Sequence, residues 1–394
     1  MKIAVLTSRY PIEKEPYNHM FVHIRNREYL RKGENVEVFI PSKENYSYTF
    51  EGIRVTASPV KDIIKKLEKF DVVFIHLLHP SLIPEIDGSY IYEYLLKYRI
   101  PTLFFIHGIE VQKIWVSRRE DIELSKPKSI IRFLYHDFFK IPKMKNFINR
   151  FLSEHPYSRF IAVSEWMLRN VHTNMGIDIS PKSVIIPNGV DTKLFKFKDR
   201  WNKRYNVLTI RPLILKGKYA VDLAINTFKY IKTSQISLSI YGRGRDAAII
   251  RQMIKNSSFR SKIILNEVFI QNREIPKIHD LHGIYYAVTR MDAQGVSMCE
   301  AMASGLPVVS FNICGIPEFI KHMETGILVR PYNLKEAAEW IETLVEDKNL
   351  YIKLSENARK FIEQIDIKET TQKELEVAQK LTFNDYMEGN TYEK

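Results

Sequence analysis

Cysteine is nearly absent: two residues, Cys299 and Cys314, stand in a chain of 394. Neither sits in a metal-ligand spacing, which excludes a disulfide scaffold and suits a reducing compartment. Long apolar runs are missing as well. No stretch approaches the roughly 18 uncharged apolar residues that a membrane-spanning helix needs. The first residues, MKIAVLTSRYPIEKEP, pass from a short apolar stretch straight into charge and lack the apolar core and cleavage site of a signal peptide. The expected location is therefore cytoplasmic. Internal repeats, low-complexity tracts and RNP, KH or zinc-finger patterns are also absent, so no nucleic-acid partner is expected. What remains is an ordinary globular composition, 45% hydrophobic and 27% charged, with a formal net charge of +13. This length exceeds one ordinary core and points to two domains. The positive excess bears on partners rather than fold, with phosphorylated substrates and anionic lipid among the candidates.

Short β-branched runs alternate with amphipathic stretches, the pattern of parallel sheets with helical crossovers. In the first half, strands are expected at 2–8, 36–41, 72–76, 101–107, 160–163 and 184–186, with a helix over 21–32 that Gly33 ends. Pro187-Asn188-Gly189 is a turn signal. The second half restarts the pattern at 205–210, 236–241, 263–265, 284–288, 308–311 and 327–329, and is largely helical from about 333 to 381. The fold class is thus α/β, with two Rossmann-like, doubly wound sheets whose ligands bind outside the carboxyl ends of the strands. An N-terminal domain is expected over 1–190, a second domain over 191–370, and a C-terminal helix and tail over 371–394 that can cross back to the first. The last residues, from Asn384 on, are expected to fray.

The densest run of chemistry is Asp292-Ala-Gln-Gly295-Val296-Ser297-Met-Cys-Glu300. It follows a strand expected to end at Thr289-Arg290. Gly295 permits a tight turn and close backbone approach, and a helix starting near Ser297 presents free N–H groups and a positive dipole end suited to a diphosphate. Asp292 in the loop and Glu300 in the first helical turn reach a ligand from two sides, and carboxylates accept hydrogen bonds from sugar hydroxyls. The structural alternative is a capping box, in which Glu300 merely bonds the Ser297 backbone. Arg211-Pro-Leu-Ile-Leu-Lys216 follows the first strand of the second half. There Arg211 can grip a pyrophosphate bidentately while Lys216, with Lys218 as competitor, acts as a point charge. Solvated basic surface is the alternative. Tyr241-Gly-Arg-Gly244 lacks the third glycine of a dinucleotide fingerprint and reads as a strand-end turn. In the first half, His107 ends the apolar strand IPTLFFIHG, where it can bind a hydroxyl or relay a proton. A satisfied turn histidine is the alternative, and His76 and His79 are weaker candidates.

Together these residues resemble the retaining GT-B glycosyltransferases of family 4, the glycosyl transferases group 1. Most of the chain takes part: Asn188-Gly189-Val190-Asp191 with Leu194-Phe195, the Arg211–Lys216 pair, the two acids Asp292 and Glu300 followed by AMASGLPVV, Gly315-Ile-Pro-Glu318 and Gly326-Ile-Leu-Val329. The resemblance implies two Rossmann-like domains facing across a cleft, a UDP- or GDP-type nucleotide-sugar donor, and no metal or other cofactor. It implies that Glu300 holds the donor ribose and Asp292 the sugar hydroxyls. Gly295, Val296 and Ser297 would face the donor, and Arg211 and Lys216 would neutralise the leaving diphosphate. His107 corresponds to the histidine near the reacting carbon, so His107, Asp292 and Glu300 form the implied catalytic set. Three positions depart from the pattern. Asp292 stands where most of the family has Glu, the loop Arg9–Met20 lacks a Gly-Gly pair, and Cys314 replaces the first Gly of the "GGIPE" block.

The implied acceptor is a saccharide, free or lipid-linked, in surface polysaccharide or glycoconjugate synthesis. A sugar-nucleotide epimerase of the same fold, or a non-catalytic GT-B partner subunit, are the alternative functions. Between 126 and 151, KPKSIIRFLYHDFFKIPKMKNFINRF sets seven Lys/Arg against the single acid Asp137 with aromatics interleaved. Two readings stand side by side. Either this is an interfacial helix pair facing an anionic membrane, or its apolar side chains pack on the first sheet.

Overall fold

The computed structural model describes residues 1–16 and 18–389, with side chains to Thr382. The end of the tail expected to fray lies outside the described residues. Every expected strand forms. In the first half these are β1 (Lys2–Thr7), β2 (Asn35–Pro41), β5 (Val72–His76), β6 (Thr102–Ile106), β7 (Ser158–Ala162) and β8 (Ser183–Ile185), with two more, β3 (Tyr46–Phe50) and β4 (Ile53–Ser58), that the sequence reading did not separate. In the second half they are β9 (Asn206–Ile210), β10 (Ser237–Tyr241), β11 (Ile263–Asn266), β12 (Ile284–Ala287), β13 (Val308–Phe311) and β14 (Ile327–Val329). The unforeseen pair is a hairpin. Glu51 and Gly52 both take positive φ, 43° and 84°, as a two-residue turn matched to strand twist requires.

The first sheet runs β3-β4-β2-β1-β5-β6-β7-β8, and the second β11-β10-β9-β12-β13-β14. All neighbours are parallel except the β3–β4 hairpin. Chain order reverses between β1 and β5 in one sheet and between β9 and β12 in the other. Helices rising to opposite faces part company at such a switch point and leave a crevice at the carboxyl ends.

The described chain divides into two compact units, one of Met1–Gly189 with the C-terminal helix that begins at Ile367, the other of Val190–Asp366. In the first unit, Ile3, Val5, Val38, Val55, Phe74 and Leu103 form a core shared with Leu375, Ala378 and Leu381 of the Ile367–Gly389 helix. That helix is also tied by charge. Arg25 Nε donates to Glu374 Oε1 at 3.0 Å, and the Tyr29 hydroxyl donates to the other carboxylate oxygen. Arg25 is 2% and Glu374 0% exposed, so the buried charges depend on each other, with Arg25 also donating to Asn188 Oδ1 at 2.7 Å and Phe21 O at 3.2 Å. The second unit buries Val207, Leu238, Ile284 and Val309 on one side of its sheet and Leu208, Tyr285, Met298 and Met302 on the other.

The basic segment takes three forms in turn: a helix Pro127–Tyr135, a π-helical turn His136–Lys140, and a helix Ile141–Ser153. Among the described residues, no helix is long and apolar enough to cross a membrane.

Candidate active site

The candidate residues fall into two groups, one in each unit. In the second unit they gather at the switch point between β9 and β12. Arg211 follows β9 directly and is held by its main chain, with its N–H donated to Tyr241 O at 3.0 Å. Its side chain is 9% exposed. Nη1 donates to Asp292 Oδ2 at 3.4 Å, while Nε and Nη2 are buried and have no partner. Leaving guanidinium donors buried and unmet is costly, and an acceptor placed at this fork would offset that cost.

The glycines of Tyr241-Gly-Arg-Gly244 serve this arginine rather than a nucleotide. A Cβ at Gly242 would lie 2.0 Å from Arg211 O, and one at Gly244 would lie 2.2 Å from Leu213 O. Leu213 N also donates to Arg243 O at 3.0 Å. The end of β10 and the Arg211 loop are thus packed backbone to backbone, which only glycine permits.

On the other side of the switch point β12 ends at Ala287, two residues short of the expected Thr289, and an ordered loop follows. Asp292 organises it: Oδ1 accepts the N–H groups of Gly295 at 2.8 Å and Gln294 at 3.3 Å. Gly295 stands at φ 77°, where other residues are strained, and leads into the helix Val296–Ser304. No side chain caps that helix; the Met298 and Cys299 amides donate to Gly295 O at 2.9 and 3.0 Å, which leaves those of Val296 and Ser297 without an intrahelical acceptor. Glu300 is the fifth helical residue and lies one turn in, not in the first turn as expected. The capping box does not form, for Glu300 Oε1 accepts instead from Asn272 Nδ2 at 3.1 Å. Burial pushes the Glu300 carboxyl up to about 8, against the opposing hydrogen bond from Asn272.

Lys216 and Lys218 are exposed on the loop after β9. The loop is pinned to the β12 side, since Lys218 O accepts from Arg290 N at 2.9 Å and from Thr289 Oγ1 at 3.0 Å. Cys314 takes φ 55°, in the left-handed region that glycine favours.

In the first unit the group is histidine-rich. His107 Nε2 and His76 Nδ1 share a hydrogen bond of 3.0 Å, with the two rings stacked 5.2 Å apart. The His107 N–H donates to Glu110 Oε1 at 2.5 Å. Burial, then the positive charges of Arg25 and His19, holds the His107 imidazole well below its usual range, so it is neutral at physiological pH. Burial raises the Glu110 carboxyl to about 7. His79 is lowered to about 3 by burial, then by Lys140.

Sequence reasoning missed Asn272, which holds Glu300, and Tyr285, whose buried hydroxyl donates to Ile210 O at 3.3 Å and bonds Ser297. Neither carries a local signal: Asn272 lies in the loop after β11, and Tyr285 is a core residue of β12. No group of three or more His, Cys, Asp or Glu that could hold a metal ion occurs among the described residues.

Two parallel-sheet α/β units with this arrangement at the strand ends define a protein of the GT-B class. Two family profiles divide the chain between them: Glycosyltransferase Family 4 matches residues 5–194 and Glycosyl transferases group 1 matches residues 192–361. The chain belongs to the GT-B glycosyltransferases of group 1, family 4-like. N-acetyl-alpha-D-glucosaminyl L-malate synthase of Bacillus anthracis is 21% identical over 51% of this chain and 54% of its own. The GDP-mannose-dependent alpha-(1-6)-phosphatidylinositol monomannoside mannosyltransferase of Mycobacterium tuberculosis is 24% identical over 45% of this chain and 50% of its own. The chain therefore spans about half the length of the curated relatives it matches. In fold it is similar to Anabaena HepE, solved in complex with UDP, at a TM-score of 0.72 and 17% identity over 96% of this chain and 100% of that one.

Proposed function

We propose that this chain is a retaining glycosyltransferase that moves a sugar from a UDP- or GDP-type donor to a saccharide or lipid-linked acceptor without a metal ion. The observation that carries the reading is Arg211, a buried guanidinium with two unpartnered donor nitrogens, Nε and Nη2, at the second unit's switch point. A diphosphate matches that fork in shape and charge. Anabaena HepE has been solved with UDP and with UDP-glucose, and the Mycobacterium relative depends on GDP-mannose, which supports a nucleoside diphosphate and leaves the base to experiment.

In this reading the departing diphosphate gains charge as the sugar–oxygen bond stretches. Arg211, Lys216 and the amides at Val296 and Ser297 stabilise that charge in place. Glu300 accepts from the ribose hydroxyls, and Asp292 holds both the loop and Arg211 in register. His107, neutral and braced by His76 and Glu110, is the first unit's candidate for bonding a substrate hydroxyl. The acceptor attacks from the side the diphosphate leaves, so configuration is retained. The test is donor hydrolysis and thermal shift across UDP-, GDP-, ADP- and TDP-sugars. Release of one nucleoside diphosphate, undiminished by EDTA, is expected. An altered sugar with its diphosphate still attached would mean an epimerase instead, no response to any donor would mean a non-catalytic subunit, and collapse with EDTA would refute the metal-free chemistry.

A further inference from the structure

The stretch 126–151 presents two different surfaces. In the Ile141–Ser153 helix, Ile141, Met144, Phe147, Ile148 and Phe151 are buried, and the Phe147 ring lies 5.0 Å from Tyr92. This half packs. The Pro127–Tyr135 helix buries none of its residues. Ile131, Leu134 and Phe138 are 65%, 47% and 70% exposed, and their spacing of three and then four residues lines them along one face. Trp115 and Val116, from the short helix Ile114–Ser117, are 56% and 48% exposed. They are drawn alongside because the Asp137 carboxylate accepts the N–H groups of Ile114 at 2.7 Å and Trp115 at 2.9 Å. Phe133 bridges the two, its ring 6.1 Å from Trp115 and 5.9 Å from Phe138.

The same contact settles the charge. Asp137 is the one acid of the stretch and is turned inward, so the charge left at its surface is basic: Lys126, Lys128, Arg132 and Lys145 are all exposed. Just upstream, Glu120 is exposed beside Arg119, while Glu123 is taken up by Lys126 at 2.6 Å and Asp121 lies 3.9 Å from Arg118 and 4.0 Å from Arg132. Arg119 sits over the Trp115 ring at 5.6 Å. Large apolar side chains left in water within a basic rim fit the boundary of an anionic bilayer, acyl chains below and phosphate headgroups around. A second copy of the chain would set basic rim against basic rim.

We propose that the Trp115–Phe138 surface of the first unit docks on an anionic lipid bilayer. This does not rest on the reaction proposed above, and its test reads binding rather than turnover. The full chain is sedimented with vesicles of phosphatidylcholine alone and of phosphatidylcholine with phosphatidylglycerol. Binding to the anionic vesicles only, weakening with salt, is expected. The double variant Ile131→Asp/Phe138→Asp should bind at least about tenfold more weakly, because it puts charge where apolar side chains entered the bilayer. Its melting temperature and its donor hydrolysis in solution should be unchanged, since both side chains are exposed. Lys128→Glu/Arg132→Glu provides a second variant with the same expected loss. Failure of the wild type to bind anionic vesicles, or equal binding by an Ile131→Asp/Phe138→Asp protein that melts normally, would overturn the proposal. So would a wild-type dimer by light scattering that this variant abolishes without any vesicle binding, which would make the surface a self-interface.

Discussion

Replacing Glu300 with glutamine should make the protein more stable near neutral pH while impairing it. The Glu300 carboxyl is 7% exposed and burial raises it from the ordinary 4.5 to about 8. The sign is opposite to that of a paired surface carboxylate. The folded state holds the proton more tightly than the unfolded one, so stability is fully present below the unfolded value and is lost as pH rises toward the folded one. The two values together cost about 1 kcal/mol at pH 5 and about 3 kcal/mol at pH 7. Glutamine has nearly the same shape, cannot ionise, and keeps an oxygen for Asn272 Nδ2, so the variant escapes this loss and leaves that donor met. The gap in melting temperature between Glu300→Gln and wild type should widen by about 5–10 °C between pH 5 and pH 7 for a unit of this size. The assay is a pair of thermal melts across that range without ligand, with nucleotide-sugar hydrolysis alongside. Activity should fall by orders of magnitude, because with its oxygen kept for Asn272 the amide turns an NH2 toward the ribose hydroxyls, where Glu300 offers a second oxygen in either protonation state. Parallel melting curves would refute the desolvated carboxyl, and near-normal turnover would refute its place in the donor site.

Arg211→Ala should abolish detectable stabilisation by a nucleoside diphosphate while the protein still melts cooperatively; an undiminished thermal shift would take the diphosphate away from this residue. Gly242→Ala would set a Cβ 2.0 Å from Arg211 O, so either the Arg211 loop shifts or the unit loses on the order of 1–3 kcal/mol; isothermal titration with the nucleotide and denaturant unfolding together should show one or both. Glu374→Ala strands the Arg25 guanidinium in a closed core and should cost about 3–5 kcal/mol, read as a lowered midpoint in urea unfolding.

Much of this was legible in advance because parallel strands buried on both faces are near-continuous apolar runs, such as VVFIH and TLFFI, which stand out from the amphipathic helices between them. The β3–β4 hairpin escaped because its edge strand, YSYTF, is largely polar and its turn, Glu51-Gly52, relies on a left-handed glutamate that composition does not announce. At the candidate site, Arg211, Asp292 and Glu300 were visible as charged residues at strand ends and helix starts. What surrounds them was not. Asn272 reaches Glu300 across 28 residues, and His76 reaches His107 across 31, and such pairings exist only once the sheet order is fixed. The segment 126–151 was open between lipid and packing because both explanations fit the same residues. Burial shows that the Ile141–Ser153 helix packs and that the Pro127–Tyr135 helix buries none of its residues, which periodicity alone did not do.

The Ile367–Gly389 helix belongs to the first unit although it is made after the whole of the second. A ribosome releases Val190–Asp366 whole before the first unit has its closing helix, so Glu374 reaches Arg25 only after the intervening unit is complete. Until then the first sheet waits with its Leu375, Ala378 and Leu381 contacts unmade and the Arg25 charge uncovered. The second unit, synthesised later, is free to fold first. A chain cut short before Glu374 would therefore fail at its first sheet.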